Sequence, residues 1–268
     1  MAESRIVTFT TDFGLNDPFV GIMHGVVLNI HPTTAIVDIC HAVASYDVLD
    51  GARTIAQAYR FFPAQTVHVV VVDPGVGSAR RPLIVETDNF VFVAPDNGLL
   101  SLVEAREPKF IVRHVTAERY FLNPVSQTFH GRDIFAPVAG WLSKGVVPAE
   151  LGPEISDYVR LPLPQVEHIG QNSLRGVVLK VDKFGNLITN IGELDAPALF
   201  SGACPEVSIL IAGVTITRLY QSYAQGEGEE TFAIVGSSGY LEIAAKQASA
   251  AEKLAAGAGT PVRIVLGK

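Results

Sequence analysis

Two periodicities alternate along the first half of the chain. Short apolar, β-branched runs at 5–11, 35–39, 67–72, 83–86, 90–94 and 110–114 predict strands. Between them, apolar residues recur at helical spacing. Phe19, Ile22, Met23, Val26, Val27 and Ile30 mark one helix, introduced by Asp17 as N-cap with Pro18 at its first position and ending before His31-Pro32. Val48, Ala52, Ile55 and Tyr59 mark a second helix near 47–60. A third is expected at 98–105 and a fourth at 132–144, stopped by Gly145. The run at 67–72 has no polar alternation and reads as a strand buried on both faces. Thr87-Asp88-Asn89 between two strands is a hairpin signal, so the expected sheet is mixed.

The pattern changes after residue 148. Pro148, Pro153, Pro162 and Pro164 punctuate a stretch of little periodicity, which reads as a linker over 151–172 between an α/β domain at 1–150 and a second domain at 173–268. In the second domain only short strands are expected, at 176–181, 187–191, 207–211, 232–235, 240–244 and 262–266, with turns between them. This predicts a small antiparallel β-barrel or sandwich, with one helical turn or a loop in the Ala-rich stretch 244–256.

Composition narrows the function classes. With 48% hydrophobic and 18% charged residues among 268, the chain has ample material for a packed core and not the profile of a disordered one. A formal charge of −7 without Lys/Arg clusters argues against nucleic acid or an anionic membrane as partner. The sequence runs directly into a strand, with no signal-peptide pattern and no apolar stretch of membrane-spanning length, so a cytoplasmic protein is expected. Cys40 and Cys204, far apart in apolar surroundings, read as buried free thiols.

The chemistry sits at strand ends. Asp73-Pro74-Gly75-Val76-Gly77-Ser78-Ala79-Arg80-Arg81 follows the buried run and delivers a carboxylate and two guanidinium groups to the edge where open α/β sheets place their sites. A phosphate loop is excluded, because a strand rather than a helix follows and the Lys-Ser/Thr pair is missing. Asp12 ends the first strand, and on a parallel neighbour of the Asp73 strand both carboxylates would face one crevice. An acidic residue there suits a ribose diol, or simply satisfies loop amides. His130 opens the last helix of the first domain, where Arg132 and Asp133 read as structural. In the second domain Asp182, Phe184 and Asn186 form either a turn or a binding rim, and the loop 236–242 has the same two readings. The other histidines show no helical pair and no companion cysteine pair, so no zinc site is expected.

Six motifs in order carry a family likeness: Thr-Thr-Asp-Phe-Gly (10–14), Val-Asp-Pro-Gly-Val-Gly-Ser-Ala-Arg (72–80), Ala-Pro-Asp-Asn-Gly (94–98), Phe-His-Gly-Arg-Asp-Ile-Phe-Ala-Pro (129–137), Val-Asp-Lys-Phe-Gly-Asn (181–186) and Ser-Gly-Tyr-Leu-Glu-Ile-Ala (238–244). Together they resemble the S-adenosyl-L-methionine hydroxide adenosyltransferases, relatives of fluorinase and chlorinase. The resemblance implies an N-terminal α/β domain, a C-terminal β-barrel and a homotrimer with sites shared between subunits. It implies that Asp73, Arg80 and His130 handle water and that Asp12 holds the ribose hydroxyls with Tyr46 beside them. Asn186 would meet the adenine edge, Asp182 and Ser237 the methionine amino group, and Glu242 the adenine side. S-adenosylmethionine would be substrate, with no cofactor and no metal. Where fluorinase has a halide-contacting serine this chain has Gly131, and where halogenases have a tyrosine it has Asp73. Ser238 replaces an arginine that holds the methionine carboxylate.

The expected reaction is in-line attack of water at C5′, giving adenosine and L-methionine. Sulfonium leaves as a neutral thioether, so neither an acid nor a metal is needed at the leaving group. The alternatives are a non-catalytic adenosine or S-adenosylmethionine sensor, a halogenase, and a metal-dependent hydrolase using Asp12, Asp73, Asp96 and His130.

Overall fold

The computed structural model describes residues 5–202, 206–228 and 230–267, and divides into two units, Met1–Leu161 and Pro162–Lys268. In the first unit the chain forms β1 (Val7–Thr11), α1 (Phe19–Ile30), β2 (Ile36–Cys40), α2 (Val48–Ala58), β3 (Val67–Val71), β4 (Pro82–Glu86), β5 (Val91–Pro95), α3 (Ser101–Glu104), β6 (Ile111–His114), α4 (Ala136–Ser143) and β7 (Glu154–Ile155). The sheet order is β2-β1-β3-β5-β4-β6-β7. Its first four strands are mutually parallel and the remaining ladders antiparallel, with β4 and β5 forming the expected hairpin.

The two-residue period of β3 explains the layering. Val67, Val69 and Val71 join Val7, Phe9, Met23, Val27 and Phe135 in a core under α1 and α4. Val70 and Val72 point the other way, into a core with Ala52, Ile55, Tyr59, Phe92 and Leu99 under α2 and α3. A strand covered on both faces has no polar side to present, which is why its sequence shows no alternation. Each fully buried large apolar side chain contributes roughly 1.5–3 kcal/mol to these cores.

Several boundaries differ from those expected. The residue before α1 is Pro18, and no side chain caps the helix, because its first bond runs from Ile22 N to Pro18 O and leaves Asp17 one residue outside. Phe19 and Ile22, expected on the buried face, stay partly exposed, while Val20, Met23 and Val27 are buried. The helix expected at 98–105 shortens to α3, and that at 132–144 begins as a π turn over Gly131–Phe135 before becoming α4. Cys40 is free but only half-buried; Cys204 lies outside the described residues. The division between units falls inside the stretch expected as linker. Residues 154–161 are bonded to the first unit through β7, Val159 N to Asp96 and Leu161 N to Ser101 Oγ.

The second unit contains β8 (Glu167–Gly170), β9 (Ser173–Val181), β10 (Leu187–Gly192), α5 (Pro197–Phe200), β11 (Val207–Ile211), β12 (Val214–Ile216), β13 (Leu219–Tyr220), β14 (Thr231–Val235), β15 (Tyr240–Ala245), α6 (Ala250–Leu254) and β16 (Pro261–Leu266). The strand path is β12-β11-β16-β9-β10-β15-β14-β13, with β8 on β9. All ladders are antiparallel except β13 with β14, so the sheet is not wholly antiparallel as expected. Among the described residues no ladder joins β12 to β13, although the sheet curls enough to bring β12 against β14.

One buried group sets a pH limit on the first unit. His68 on β3 is fully buried among Tyr59, Phe62, Phe90 and Phe92, with Nδ1 2.7 Å from Thr8 Oγ1 and no hydrogen-bond partner for Nε2. Burial pushes its pKa down to about 3. The unfolded chain therefore takes up the proton first, and stability present above the ordinary histidine pKa drains away as pH falls toward the folded value, by about 1.4 kcal/mol per pH unit from this group. Urea unfolding of His68→Phe is expected to lose less stability between pH 7 and pH 5 than the parent. An equal loss in both would remove His68 as the cause.

Candidate active site

Asp73 lies two residues beyond β3 and Asp12 one residue beyond β1, and the two strands are parallel with Thr11 opposite Val71. Both carboxylates thus leave the sheet at the same edge. The chain after Asp73 folds back through a tight loop, with Val76 N bonded to Asp73 O, and Ser78 N and Oγ both to Gly75 O. Gly77, at φ +78°, lies so close to Gln127 O that any side chain there would collide with it. This contact docks the loop on the segment carrying His130.

Arg80 is the centre of the arrangement. Its Nε donates to Asp73 Oδ1 at 2.9 Å and its Nη2 to Asp73 Oδ2, a two-pronged pairing. The same Nη2 donates to His130 Nδ1 at 2.7 Å, and the guanidinium carbon lies 5.1 Å from the centre of the Phe135 ring. Both side chains of the ion pair are more than nine-tenths buried. Arg80 Nη1 is buried without a hydrogen-bond partner among the described residues.

Burial lowers the pKa of His130, and the Arg80 charge lowers it further. A ring nitrogen that accepts from guanidinium carries no proton of its own, so His130 is neutral with its proton on Nε2. Asp133 holds the turn beneath it: Oδ2 accepts Ser126 N at 2.8 Å, and Arg132 bonds to both carboxylate oxygens. Burial opposes ionisation of Asp133, but the bonds from Arg132 and Ser126 outweigh it and hold its pKa below the ordinary carboxylate value. Arg132 and Asp133 bond to each other and to the chain at Ser126.

A cavity opens beside Asp73 and His130. Its lining includes Val71, Val76, Thr128 and Gly131, and an aromatic cluster of Phe13, Phe19 and Phe129 with ring centres 5.2–6.0 Å apart. Phe13 and Phe129 belong to the family motifs, whereas the helical spacing of Phe19 marks it only as a core position. Asp12 Oδ2 accepts Tyr46 N at 2.9 Å, and the largely exposed Tyr46 is held at φ 65°, an uncommon conformation for a bulky residue. Asp96 does not join Asp73 and His130. It binds Arg81 Nε at 2.8 Å through Oδ2 and Val159 N through Oδ1, which removes it from the four-residue metal constellation considered above.

The second unit carries the remaining residues. Asp182 Oδ1 accepts Phe184 N and Asn186 N, each at 2.8 Å, and Oδ2 accepts Asn186 Nδ2 at 2.8 Å. The turn thus consumes much of the Asp182 carboxylate, while the side-chain carbonyl of buried Asn186 stays available as an acceptor. Ser237 is exposed. Glu242 is buried, accepts Tyr223 Oη at 2.9 Å, and has Ser238 Oγ 3.4 Å away. Burial, reinforced by the Asp182 charge, raises its pKa. Nothing in the sequence singles out Tyr223, which lies on a short turn that has no periodicity to announce it.

Comparison with known proteins agrees across the whole chain. Residues 7–152 match the profile of the SAM hydroxide adenosyltransferase N-terminal domain, and residues 176–263 that of the C-terminal domain. A protein from Salinispora tropica named (R)-S-adenosyl-L-methionine hydrolase is 37% identical over the full length of both chains. One of the same name from Thermus thermophilus is 36% identical, covering 97% of this chain and 100% of its own. A protein named fluorinase from Nocardia brasiliensis is 28% identical, covering 98% and 97%. The crystal structure of an uncharacterized conserved protein from Thermotoga maritima superposes with a TM-score of 0.90 at 31% identity, covering 97% of this chain and all of that one. The chain belongs to the SAM hydroxide adenosyltransferase family.

Proposed function

We propose that this protein hydrolyses S-adenosyl-L-methionine to adenosine and L-methionine, with water attacking C5′ in line with the departing sulfur. The observation that carries this reading is the buried Asp73–Arg80–His130 set at the carboxyl edge of β3. The names of full-length relatives at 36–37% identity support the same reaction. Asp73 keeps lone pairs beyond those engaged by Arg80, and these accept from one water and aim it. Neutral His130 and Arg80 together fix the carboxylate that aims it.

Orientation does more than proton transfer here. Placing a poor nucleophile on the attack line contributes roughly 7–11 kcal/mol in favourable cases, whereas base assistance contributes about 3–5 kcal/mol. Asp73 is therefore assigned to aiming and polarising the water rather than to deprotonating it beforehand, and it accepts the proton released as the C5′–O bond forms and the C5′–S bond breaks. Asp12 holds the ribose hydroxyls beside Tyr46, and the Asn186 carbonyl meets the adenine edge. Asp182 and Ser237 take the methionine amino group, with Glu242 on the adenine side. No metal or cofactor takes part in the reaction. The protein works as a homotrimer, each site completed by the second unit of a neighbour.

Asp73→Ala is expected to abolish hydrolysis while adenosine binding, read by calorimetry, stays within about tenfold, since the ribose and adenine contacts lie elsewhere. Loss of adenosine binding together with activity would make Asp73 a binding or folding residue.

Light scattering is expected to give three chains per particle, and dilution to monomers should abolish turnover. A fully active monomer would remove the shared site.

The nucleophile is read directly in water enriched in heavy oxygen. The label should enter the 5′-hydroxyl of adenosine and leave methionine unlabelled, with the two products in equal amounts. High chloride or fluoride should yield no 5′-halogenated nucleoside, because the Asp73 charge raises the cost of desolvating an anion there. Complete turnover with unlabelled adenosine would overturn attack by water at C5′.

A further inference from the structure

One cluster of ligating side chains lies outside the residues assigned to the reaction. His24 on α1, Asp38 on β2 and His41, just past β2, bring three donor atoms within 4.8 Å of one another, the one such His/Cys/Asp/Glu group among the described residues. Asp38 Oδ1 lies 2.9 Å from His24 Nε2 and 3.0 Å from His41 Nε2. We propose that His24, Asp38 and His41 form a binding site for a divalent transition cation of the zinc class, which braces the chain segment carrying Asp12.

The second imidazole carries the argument. The His41 side chain is 5% exposed, and its Nδ1 lies 2.8 Å from Thr11 Oγ1. Its Nε2 is buried and makes no hydrogen bond among the described residues, although a carboxylate oxygen is only 3.0 Å away: the separation suits a bond but the direction does not. With the His41 proton on Nδ1, donated to Thr11, the Nε2 lone pair is free for a cation, and Asp38 Oδ1 and His24 Nε2 supply two further donor atoms within 4.8 Å. A cation there meets the unpaired His41 Nε2 and replaces the hydrogen bond between His24 and Asp38. Donating the second ring nitrogen to a neighbouring oxygen is how metal-bound histidines fix their tautomer, and Thr11 is placed for that.

Two imidazoles and a carboxylate suit zinc and its neighbours. Metal–ligand bonds near 2 Å place tetrahedral donors about 3.3 Å apart, a few tenths of an ångström wider than the two short separations here. His24 and Asp38 are partly open to solvent, leaving room for water to complete the shell. The link to function is short. Thr11 Oγ1 accepts Phe13 N at 3.2 Å, and His41 O accepts Gly14 N at 2.8 Å, so an immobilised His41 pins both sides of Asp12. The cation is structural, and the water attack does not pass through it.

The test uses the full-length protein stripped with a chelator and titrated with Co²⁺. One equivalent should produce visible ligand-field bands that stoichiometric Zn²⁺ abolishes, and Zn²⁺ should raise the unfolding temperature by several degrees. His24→Ala and Asp38→Asn, both at partly exposed positions and checked for folding by circular dichroism, should each weaken Co²⁺ binding at least about tenfold. His41→Ala removes a buried group and carries no weight alone. Absence of a saturable one-equivalent signal in the parent would overturn the proposal and leave the cluster as a His24–Asp38 hydrogen bond beside His41. Binding of undiminished affinity in both variants would overturn it equally, by placing the metal elsewhere.

Discussion

A guanidinium taken almost wholly out of water depends on partners for its donors, and Arg80 finds those of Nε and Nη2 in the residues proposed to handle the nucleophile, with Nη1 left over. Its pairing with Asp73 uses both carboxylate oxygens, and its bond to His130 ties in a second segment of chain. Removing one partner of such a buried pair costs about 3–5 kcal/mol, because the survivor is left charged and unpaired. The geometry of the loop from Asp73 to Arg80, its docking on Gln127 through Gly77, and the π turn at Gly131 are all conditions for that one contact.

The same constraint separates roles that residue types alone leave merged. Both acids leaving the sheet edge look equivalent in sequence, yet Asp73 is locked by Arg80 whereas Asp12 accepts only a backbone N–H from Tyr46 and keeps capacity for a ligand. Arg80 and Arg81 are adjacent but diverge. One faces Asp73 and the other binds buried Asp96 and exposed Asp157. Asp182 shows the opposite case, a residue proposed for binding whose oxygens are largely spent on closing the turn at 182–186. There the turn and the binding rim are one object, because the bond from Asn186 Nδ2 to Asp182 orients the amide proposed to meet adenine.

Legibility follows periodicity. β3, the β4–β5 hairpin and α2 announce themselves through burial patterns imposed by regular structure. β7, β12 and β13 are two or three residues long and β8 is exposed along its whole length, so none shows a period, and a proline-punctuated stretch reads as linker where parts of it pair. The Asp73–Arg80–His130 set is legible as motifs, since two members share one loop. The His24–Asp38–His41 group is not, because its members come from α1, β2 and the chain beyond it, and only the fold brings them together.

Room at Gly131 bears on why one fold serves relatives named hydrolase and relatives named fluorinase. A Cβ at Gly131 would lie 2.9 Å from Phe129 Cε2 and 3.0 Å from Met23 Sδ, so even a serine requires both neighbours to give way. Phe129 belongs to the aromatic cluster that lines the cavity, and Met23 to the core beneath α1. Installing a hydroxyl beside the nucleophile position is therefore a repacking of the cavity wall rather than a point change. With the Asp73 charge fixed by Arg80 on one side and no space for a halide-binding hydroxyl on the other, the site favours a small neutral hydrogen-bond donor. Under the proposed reaction that donor is water, selected by what the pocket cannot accommodate as much as by what it contacts.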